Sequence, residues 1–348
     1  PPVFLLPPIS MTRLCSELSD LARKRRPRLV VFRSGALGDS VLLLPTLRLL
    51  DELFRRPRIT WVGSPWARGI QPLSPVKWEY APYDSAAMTP LFGPEPTRTP
   101  DVLRAADAIL AWTSRSDSPF ADNLERCGTG TTLVQSAHPS PGHHMAVHLA
   151  TPVCAEAPSL TTLPDPVLRA RRADKTSALK WLGSDGDTVP QVVVHPGSGS
   201  DKKCWPPDRF ADLCRRLIGG GTRVTLLVGP ADRDACKHVA EHCDGLRVFK
   251  NRELGEVAGL LASAEVCVTN DSGIGHFGAA LGTGMVSVFG PTDPAIWRPL
   301  GPCTTVVESG KPREAWPPVQ KVLTTTLDLI QRLRRSPASP HLPPRSGQ

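Results

Sequence analysis

Short apolar runs separated by amphipathic segments dominate the C-terminal half of the sequence. An apolar run without polar alternation is typical of a strand buried on both faces of a parallel sheet. Regular alternation of such strands with helices predicts a parallel sheet with right-handed crossovers. The pattern predicts strands at 191–195, 224–228, 246–248, 266–269 and 285–289, and helices at about 170–182, 207–218, 233–242, 254–262 and 273–281.

The N-terminal half carries the same alternation in a weaker form. Proline and small residues dominate between about 150 and 170, so we expect one domain at 29–165 and a second at 166–335. Within the first domain, residues 64–100 and 114–165 show little periodicity. The pattern there predicts strands at 29–32, 59–63 and 108–112, and helices at about 41–54 and 142–150.

The two ends of the chain differ from these domains. Residues 1–28 are expected to form a basic arm, since leucines 14, 18 and 21 have helical spacing and a basic run follows. We favour a solvated arm over a membrane-surface foot, which the pattern leaves open as an alternative. Residues 336–348 are rich in proline and serine and are expected to form a disordered tail.

The most informative stretch is 266–294, where a strand leads into a polar cap, a glycine-rich helix start and a second strand. Asn270, Asp271 and Ser272 are all good helix N-caps. Helix N-termini at the carboxyl edge of a parallel sheet present N–H groups and a positive dipole end, where phosphates bind. The glycines at 273, 275 and 278 fit close approach of a ligand, or only tight helix–sheet packing.

A second glycine turn follows the first predicted strand and ends in Gly38 and Asp39. Its spacing differs from the dinucleotide fingerprint and from a Walker A loop. Asp39 falls in the first turn of the helix. It is either a partner for the helix dipole or a carboxylate that faces a ligand.

Composition and net charge limit the classes of molecule that the protein is expected to bind. The chain has 348 residues, 40% of them hydrophobic, with a net charge of +8. A basic balance favours anionic partners such as nucleotides, phosphorylated glycans or acidic lipid surfaces. Nucleic acid is disfavoured, because only two tyrosines are present and basic and aromatic residues are not interleaved.

Cysteine and histidine spacing gives no metal pattern. The nine cysteines include no CxxC pair and no zinc-like spacing with histidine. His143, His144 and His148 cluster without an acidic neighbour, which favours a surface or packing role over metal binding. Cysteines inside predicted elements fit a reducing, cytoplasmic compartment. No apolar stretch approaches the roughly 20 residues needed to span a bilayer.

Four blocks resemble glycosyltransferase family 9, the ADP-heptose:lipopolysaccharide heptosyltransferase family. They are SGALGDSVLLLPTLRLL at 34–50, HPGSGSDKKCWPPDRFADL at 195–213, LVGPADRD at 227–234, and TNDSGIGHFGAALGTGMVSVFGPTDP at 269–294. The resemblance implies a GT-B type α/β fold, in which two Rossmann-like domains with parallel sheets face a cleft. The domain at 29–165 would hold the acceptor, and the domain at 166–335 would hold a nucleotide-diphosphate sugar.

The resemblance also implies roles for single residues. Asp39 would be the general base, and Lys203 with the 197–200 loop would grip the diphosphate. Asp271 would lie near the donor sugar, and Asp232 or Asp234 would approach the ribose. The donor-site residues implied in this way are Ser198, Gly199, Ser200, Lys203, Asp232, Asp271, Ser272, Gly273 and His276.

The implied function is inverting, metal-independent transfer of a heptose or related sugar to a lipopolysaccharide core or related glycan. The donor would be ADP-heptose or another nucleotide-sugar, and the acceptor would be a glycan or glycolipid. No further cofactor is expected. The protein would be cytoplasmic, with peripheral contact to the inner membrane surface left open. Transfer from another nucleotide-sugar, a related GT-B hydrolase or epimerase, and non-catalytic nucleotide or glycan binding are the alternatives.

Overall fold

The computed structural model describes residues 15–24, 26–114, 119–139, 142–154, 158–183, 189–229, 232–310 and 316–335. The chain divides into two compact units, Pro1–Pro166 and Val167–Gln348. This division falls one residue beyond the 165/166 boundary expected from the sequence. The expected disordered tail at 336–348 lies outside the described residues.

Unit 1 contains a five-stranded sheet within its described residues, in the order β3-β2-β1-β4-β5, with every neighbouring pair parallel. The sequence predicted β1, β2 and β4 but missed the two outer strands. Those strands bury less of their side chains, so they lack an apolar run. The strands are β1 (Arg28–Arg33), β2 (Arg58–Gly63), β3 (Glu79–Pro82), β4 (Ala108–Thr113) and β5 (Thr131–Ser136).

The helices of unit 1 vary in length from single turns to the 17-residue helix that follows β1. That helix begins at Leu37, four residues before the predicted start at 41, so the glycine turn is shorter than expected. The helices are α1 (Ser16–Ser19), α2 (Leu37–Leu53), α3 (Pro65–Ile70), α4 (Asp101–Arg104), α5 (Pro119–Cys127) and α6 (Met145–Ala150).

The expected basic arm at 1–28 is wrong in its described part. Leu18 and Leu21 are buried, and Arg28 already belongs to β1. The backbone N–H of Cys15 donates to the carbonyl oxygen of Val153 at 3.1 Å, which ties this segment to unit 1. Leu18 and Leu21 therefore pack into the unit, and Leu14 lies outside the described residues.

Unit 2 contains a six-stranded sheet within its described residues, in the order β11-β10-β9-β6-β7-β8, again with parallel neighbours. The central strands are apolar on both faces, which is why the sequence predicted them well. Fully burying each of their valines contributes about 1.5–3 kcal/mol. The strands are β6 (Gln191–His195), β7 (Arg223–Val228), β8 (Arg247–Lys250), β9 (Val266–Asn270), β10 (Gly284–Val288) and β11 (Thr304–Val307).

The helices of unit 2 connect these strands, and the last one packs its apolar side on the sheet core. The sequence missed this last helix, because three consecutive threonines lower its helix propensity. No helix within the described residues is long and apolar enough to cross a membrane. The helices are α7 (Arg172–Leu182), α8 (Pro207–Gly219), α9 (Arg233–Glu241), α10 (Leu254–Leu261), α11 (Gly273–Ala280), α12 (Pro294–Trp297) and α13 (Val319–Arg335).

Candidate functional site

The N-terminus of α11 lies directly after β9, at the carboxyl edge of the unit 2 sheet. Ser272 is its N-cap, and its Oγ accepts a hydrogen bond from the Gly275 N–H at 3.4 Å. The Thr269 hydroxyl lies 2.8 Å from the Ser272 Oγ, which fixes the cap further. The first-turn N–H groups of a helix have no intrahelical acceptor, so this end suits an anion.

Lys203 lies beside this helix start, in a short 3₁₀ turn at Asp201–Lys203. Its Nζ donates to the Asp271 Oδ2 at 3.1 Å and stands 5.6 Å from the centre of the Trp297 ring. The Asp271 side chain is only 6% exposed, whereas that of Lys203 is 34% exposed. The ammonium group is therefore anchored from the protein side and reachable from solvent. Trp297 was missed by sequence reasoning, because only the fold brings it to Lys203.

The loop that carries the predicted diphosphate residues is tied to the end of β9. The Ser198 hydroxyl donates to the Asp271 carbonyl oxygen at 2.8 Å. The Asn270 amide donates to the Pro196 carbonyl oxygen at 2.6 Å, and its Oδ1 accepts from the Trp205 N–H at 2.9 Å. Asn270 is fully buried, so it holds the loop rather than a ligand. Trp205 is buried as well, so it anchors the loop by packing.

Asp232 packs between two glycine loops. A Cβ added to Gly197 would stand 1.9 Å from the Asp232 carboxyl carbon, and one added to Gly229 would stand 2.5 Å from its Oδ2. The Oδ2 also lies 3.5 Å from the Nε2 of His195, at the end of β6. Burial lowers the pKa of His195, while Asp232 and the Leu227 carbonyl oppose that shift. Asp232 thus joins the loops after β6 and β7, and its expected ribose contact stays a prediction.

The other donor-site residues fall in the same part of unit 2. The Ser200 carbonyl oxygen accepts from the Lys203 N–H at 2.9 Å. A Cβ on Gly199 would meet nothing within 4 Å, so the loop is open at that point. Gly273 begins α11, and His276 is buried one turn further along.

Gly278 is a packing glycine, because a Cβ there would stand 2.7 Å from the Met285 sulfur.

Asp39 lies in unit 1, in the first turn of α2, where β1 passes into the helix. Its Oδ1 accepts from the Arg33 guanidinium at 2.7 Å, and its Oδ2 accepts from the Ala36 N–H at 3.0 Å. A Cβ on Gly35 would stand 2.7 Å from the Asp39 side chain, so glycine is needed there. The helix-cap interpretation of Asp39 is therefore correct in geometry, and it does not exclude contact with a ligand.

Two histidines of unit 1 are engaged in local structure. The His144 ring accepts from the Ala146 N–H at 3.2 Å and caps α6. The Nε2 of His148 lies 2.7 Å from the Ser136 carbonyl oxygen. These contacts agree with the predicted packing role. Across the part of the chain that the structure describes, no three histidine, cysteine or acidic side chains group as metal ligands.

A family comparison decides the class of the protein. The model of glycosyltransferase family 9 (heptosyltransferase) matches residues 108–323, more than half of the chain. The chain belongs to glycosyltransferase family 9. The block at 34–50 lies outside the matched range, so its resemblance stays a prediction. The other three sequence blocks lie within the matched range, and they supply the Lys203 loop, the Asp232 turn and the α11 helix start.

Curated members of family 9 resemble this chain over part of their length. Lipopolysaccharide heptosyltransferase 1 of Escherichia coli (strain K12) is 35% identical over 106 residues, 30% of this chain and 33% of that protein. The enzyme of the same name from Pseudomonas aeruginosa is 34% identical over 114 residues, 32% of each chain. The chain thus spans about a third of the length of the relatives it matches.

Solved family 9 structures share the fold over nearly the whole chain. A family 9 glycosyltransferase from Veillonella parvula superposes with a TM-score of 0.73 at 18% identity, covering 89% of this chain and 98% of that one. ADP-heptose lipopolysaccharide heptosyltransferase II of E. coli gives 0.70 at 20% identity, covering 88% and 99%. This likeness confirms the predicted α/β fold of GT-B type with two parallel sheets.

Proposed function

We propose that this family 9 protein transfers a heptose from a nucleotide-diphosphate sugar, ADP-heptose, to a lipopolysaccharide core acceptor. The observation that carries the proposal is the placement of Lys203 and Asp271 beside the α11 helix start. A lysine and a helix N-terminus at one sheet edge are suited to a diphosphate. Family membership supplies the reaction class.

The donor end of the reaction creates negative charge on the departing diphosphate. Lys203 and the first-turn N–H groups of α11 are positioned to stabilise that charge as the sugar–oxygen bond breaks. Asp271 holds the ammonium group in place before the donor arrives, so little reorganisation is needed. In this proposal the lysine and N–H groups take the part that a divalent cation plays in metal-dependent transferases.

The acceptor end of the reaction needs a base. In the proposed single displacement, the Asp39 carboxylate takes the proton of the acceptor hydroxyl while the hydroxyl oxygen bonds to the anomeric carbon. The bond from that carbon to the diphosphate oxygen breaks, and its electron pair leaves with the nucleoside diphosphate. One displacement inverts the configuration at the anomeric carbon. Asp39 is 28% exposed, so a substrate hydroxyl can reach it.

The identity of the nucleotide is also part of the proposal. An E. coli heptosyltransferase of similar fold was solved with ADP, at 19% identity and a TM-score of 0.64. We carry ADP to this chain on the strength of family membership. Nucleotide-activated sugars belong to the cytoplasm, so we place the reaction there. Peripheral contact with the membrane that carries a glycolipid acceptor belongs to the same proposal.

The test is a binding screen followed by a transfer assay. ADP should raise the melting temperature more than UDP, GDP or CDP at equal concentration, because the proposed donor is an adenine nucleotide. ADP-heptose and a heptose-deficient core acceptor should then give a product whose new linkage is inverted, as read by NMR coupling. Preference for another nucleotide, or a product with retained configuration, would overturn the proposal.

A further inference from the structure

Arg33 is a buried cation at the carboxyl end of β1. Every residue of that strand after Arg28 is buried, and the Arg33 side chain is only 6% exposed. Burying a guanidinium is unfavourable unless charged or polar partners compensate it. Such a residue at a strand end, six positions before the proposed base, needs an explanation that the apolar pattern of β1 does not supply.

The compensation comes chiefly from Asp39. One Arg33 Nη donates to the Asp39 Oδ1 at 2.7 Å, and the other makes a long contact of 3.5 Å to the Ala137 carbonyl oxygen. The Arg33 Nε is buried without a partner among the described residues. Within the described part of the chain, the short ion pair is thus the one strong interaction of this guanidinium.

The two carboxylate oxygens of Asp39 are held from different sides. Arg33 fixes Oδ1, and the Ala36 N–H fixes Oδ2. Each carboxylate oxygen has two lone pairs, so both contacts leave acceptor capacity for a substrate proton. Solvent reaches 28% of the Asp39 side chain but almost none of Arg33. A substrate can therefore contact the Asp39 carboxylate, while the Arg33 guanidinium stays buried on the protein side.

We infer that Arg33 is a positioning residue for the transfer reaction, acting through Asp39 and not on the substrate. It holds the carboxylate in one orientation, with its accessible lone pairs toward the acceptor hydroxyl. This inference rests on the proposed function, in which Asp39 is the base. Orientation matters because a misplacement of about 1 Å can lower a rate by roughly 10²-fold.

The experiment compares Arg33→Met, Arg33→Lys, Asp39→Asn and the double variant Arg33→Met with Asp39→Asn. Arg48→Met is the matched control, since it breaks an ion pair to Glu52 on α2 by the same chemical change. We expect Arg33→Met to lower kcat roughly 10- to 100-fold. The KM for the donor should stay within about twofold, because the donor residues lie in unit 2. Arg33→Lys should recover part of the loss, and Arg48→Met should match the wild type.

The double variant tests whether Arg33 acts through Asp39. If it does, Arg33→Met adds little to the loss already caused by Asp39→Asn, because the group it positions is gone. Additive losses would show that Arg33 acts directly, and would overturn the inference. So would a wild-type kcat in Arg33→Met while Asp39→Asn is impaired. If Arg33→Met does not fold, Arg33→Gln takes its place, since it also removes the charge that faces Asp39, and a wild-type kcat in that variant would count against the inference as well.

Failure of the proposed function gives a different result. In that case the wild-type protein shows no transfer, or Asp39→Asn keeps near-normal turnover whatever residue stands at 33. Measured melting temperatures separate both outcomes from loss of folding.

Discussion

At the residue scale, Asp39 combines an ion pair, a helix cap and a proposed catalytic role. We expect Asp39→Asn to lower turnover by roughly 10²–10⁴-fold, the usual contribution of a general base. Asparagine keeps an oxygen for the Ala36 N–H but loses the charge that faces Arg33, so the melting temperature should fall by a few degrees. Steady-state kinetics and calorimetry measure the two effects. Near-normal turnover with the same loss of stability would make Asp39 a structural residue only.

Lys203 offers a second test at this scale, because its charge should act on the phosphates alone. Lys203→Ala is expected to weaken ADP binding roughly 10- to 100-fold, in line with the loss of one charge-assisted contact. Adenosine binding should hardly change. Lys202→Ala is the matched control, since Lys202 is its exposed neighbour in the same turn. Isothermal titration with both ligands gives the comparison, and equal weakening of ADP and adenosine would contradict the assignment.

At the element scale, the loop after β6 depends on a glycine that has no room for a side chain. Gly197→Ala would place a methyl group within 1.9 Å of the Asp232 carboxyl carbon, so the loop or Asp232 must move. We expect the variant to fold and to bind ADP at least about tenfold more weakly, because Ser198 shifts with the loop. Gly219→Ala, at the end of α8, meets nothing within 4 Å and should bind ADP as the wild type does. The same affinity in both variants would show that the loop does not hold the nucleotide.

The helices and strands also show which features could be predicted from the sequence. Buried strands such as β6 and β9 were predicted because their apolar runs carry the burial signal in the chain itself. Strands β3, β5 and β11 were missed, since outer strands bury less and their pattern is mixed. The Lys203 loop was found by resemblance, but Arg33 and Trp297 were not. Asn270 was expected only as a helix N-cap, whereas Ser272 is the cap and Asn270 holds the loop. The importance of these residues depends on contacts between segments that are distant in sequence, or on the burial of a polar side chain. Neither can be read from the residue type alone.

At the scale of the whole molecule, the proposed chemistry predicts that the rate of sugar transfer does not depend on divalent cations. Transfer should proceed at an unchanged rate in excess EDTA, because Lys203 and the α11 N-terminus are proposed to meet the charge of the leaving group. The measurement is an initial rate with and without chelator, using protein dialysed beforehand. Loss of activity that Mg²⁺ or Mn²⁺ restores would require a metal in the mechanism.

The strand order of unit 2 has a consequence for how the protein is made. Strand β6 pairs on one side with β7 and on the other with β9, which leaves the ribosome more than seventy residues later. Until then the apolar Val192–Val194 edge is an unpaired strand, a known starting point for aggregation. Nascent chains released after residue 262 should therefore be insoluble or bound to chaperones, whereas chains released after residue 335 should be soluble. A soluble, monomeric shorter chain in sedimentation would show that β6 is protected during synthesis by some other segment.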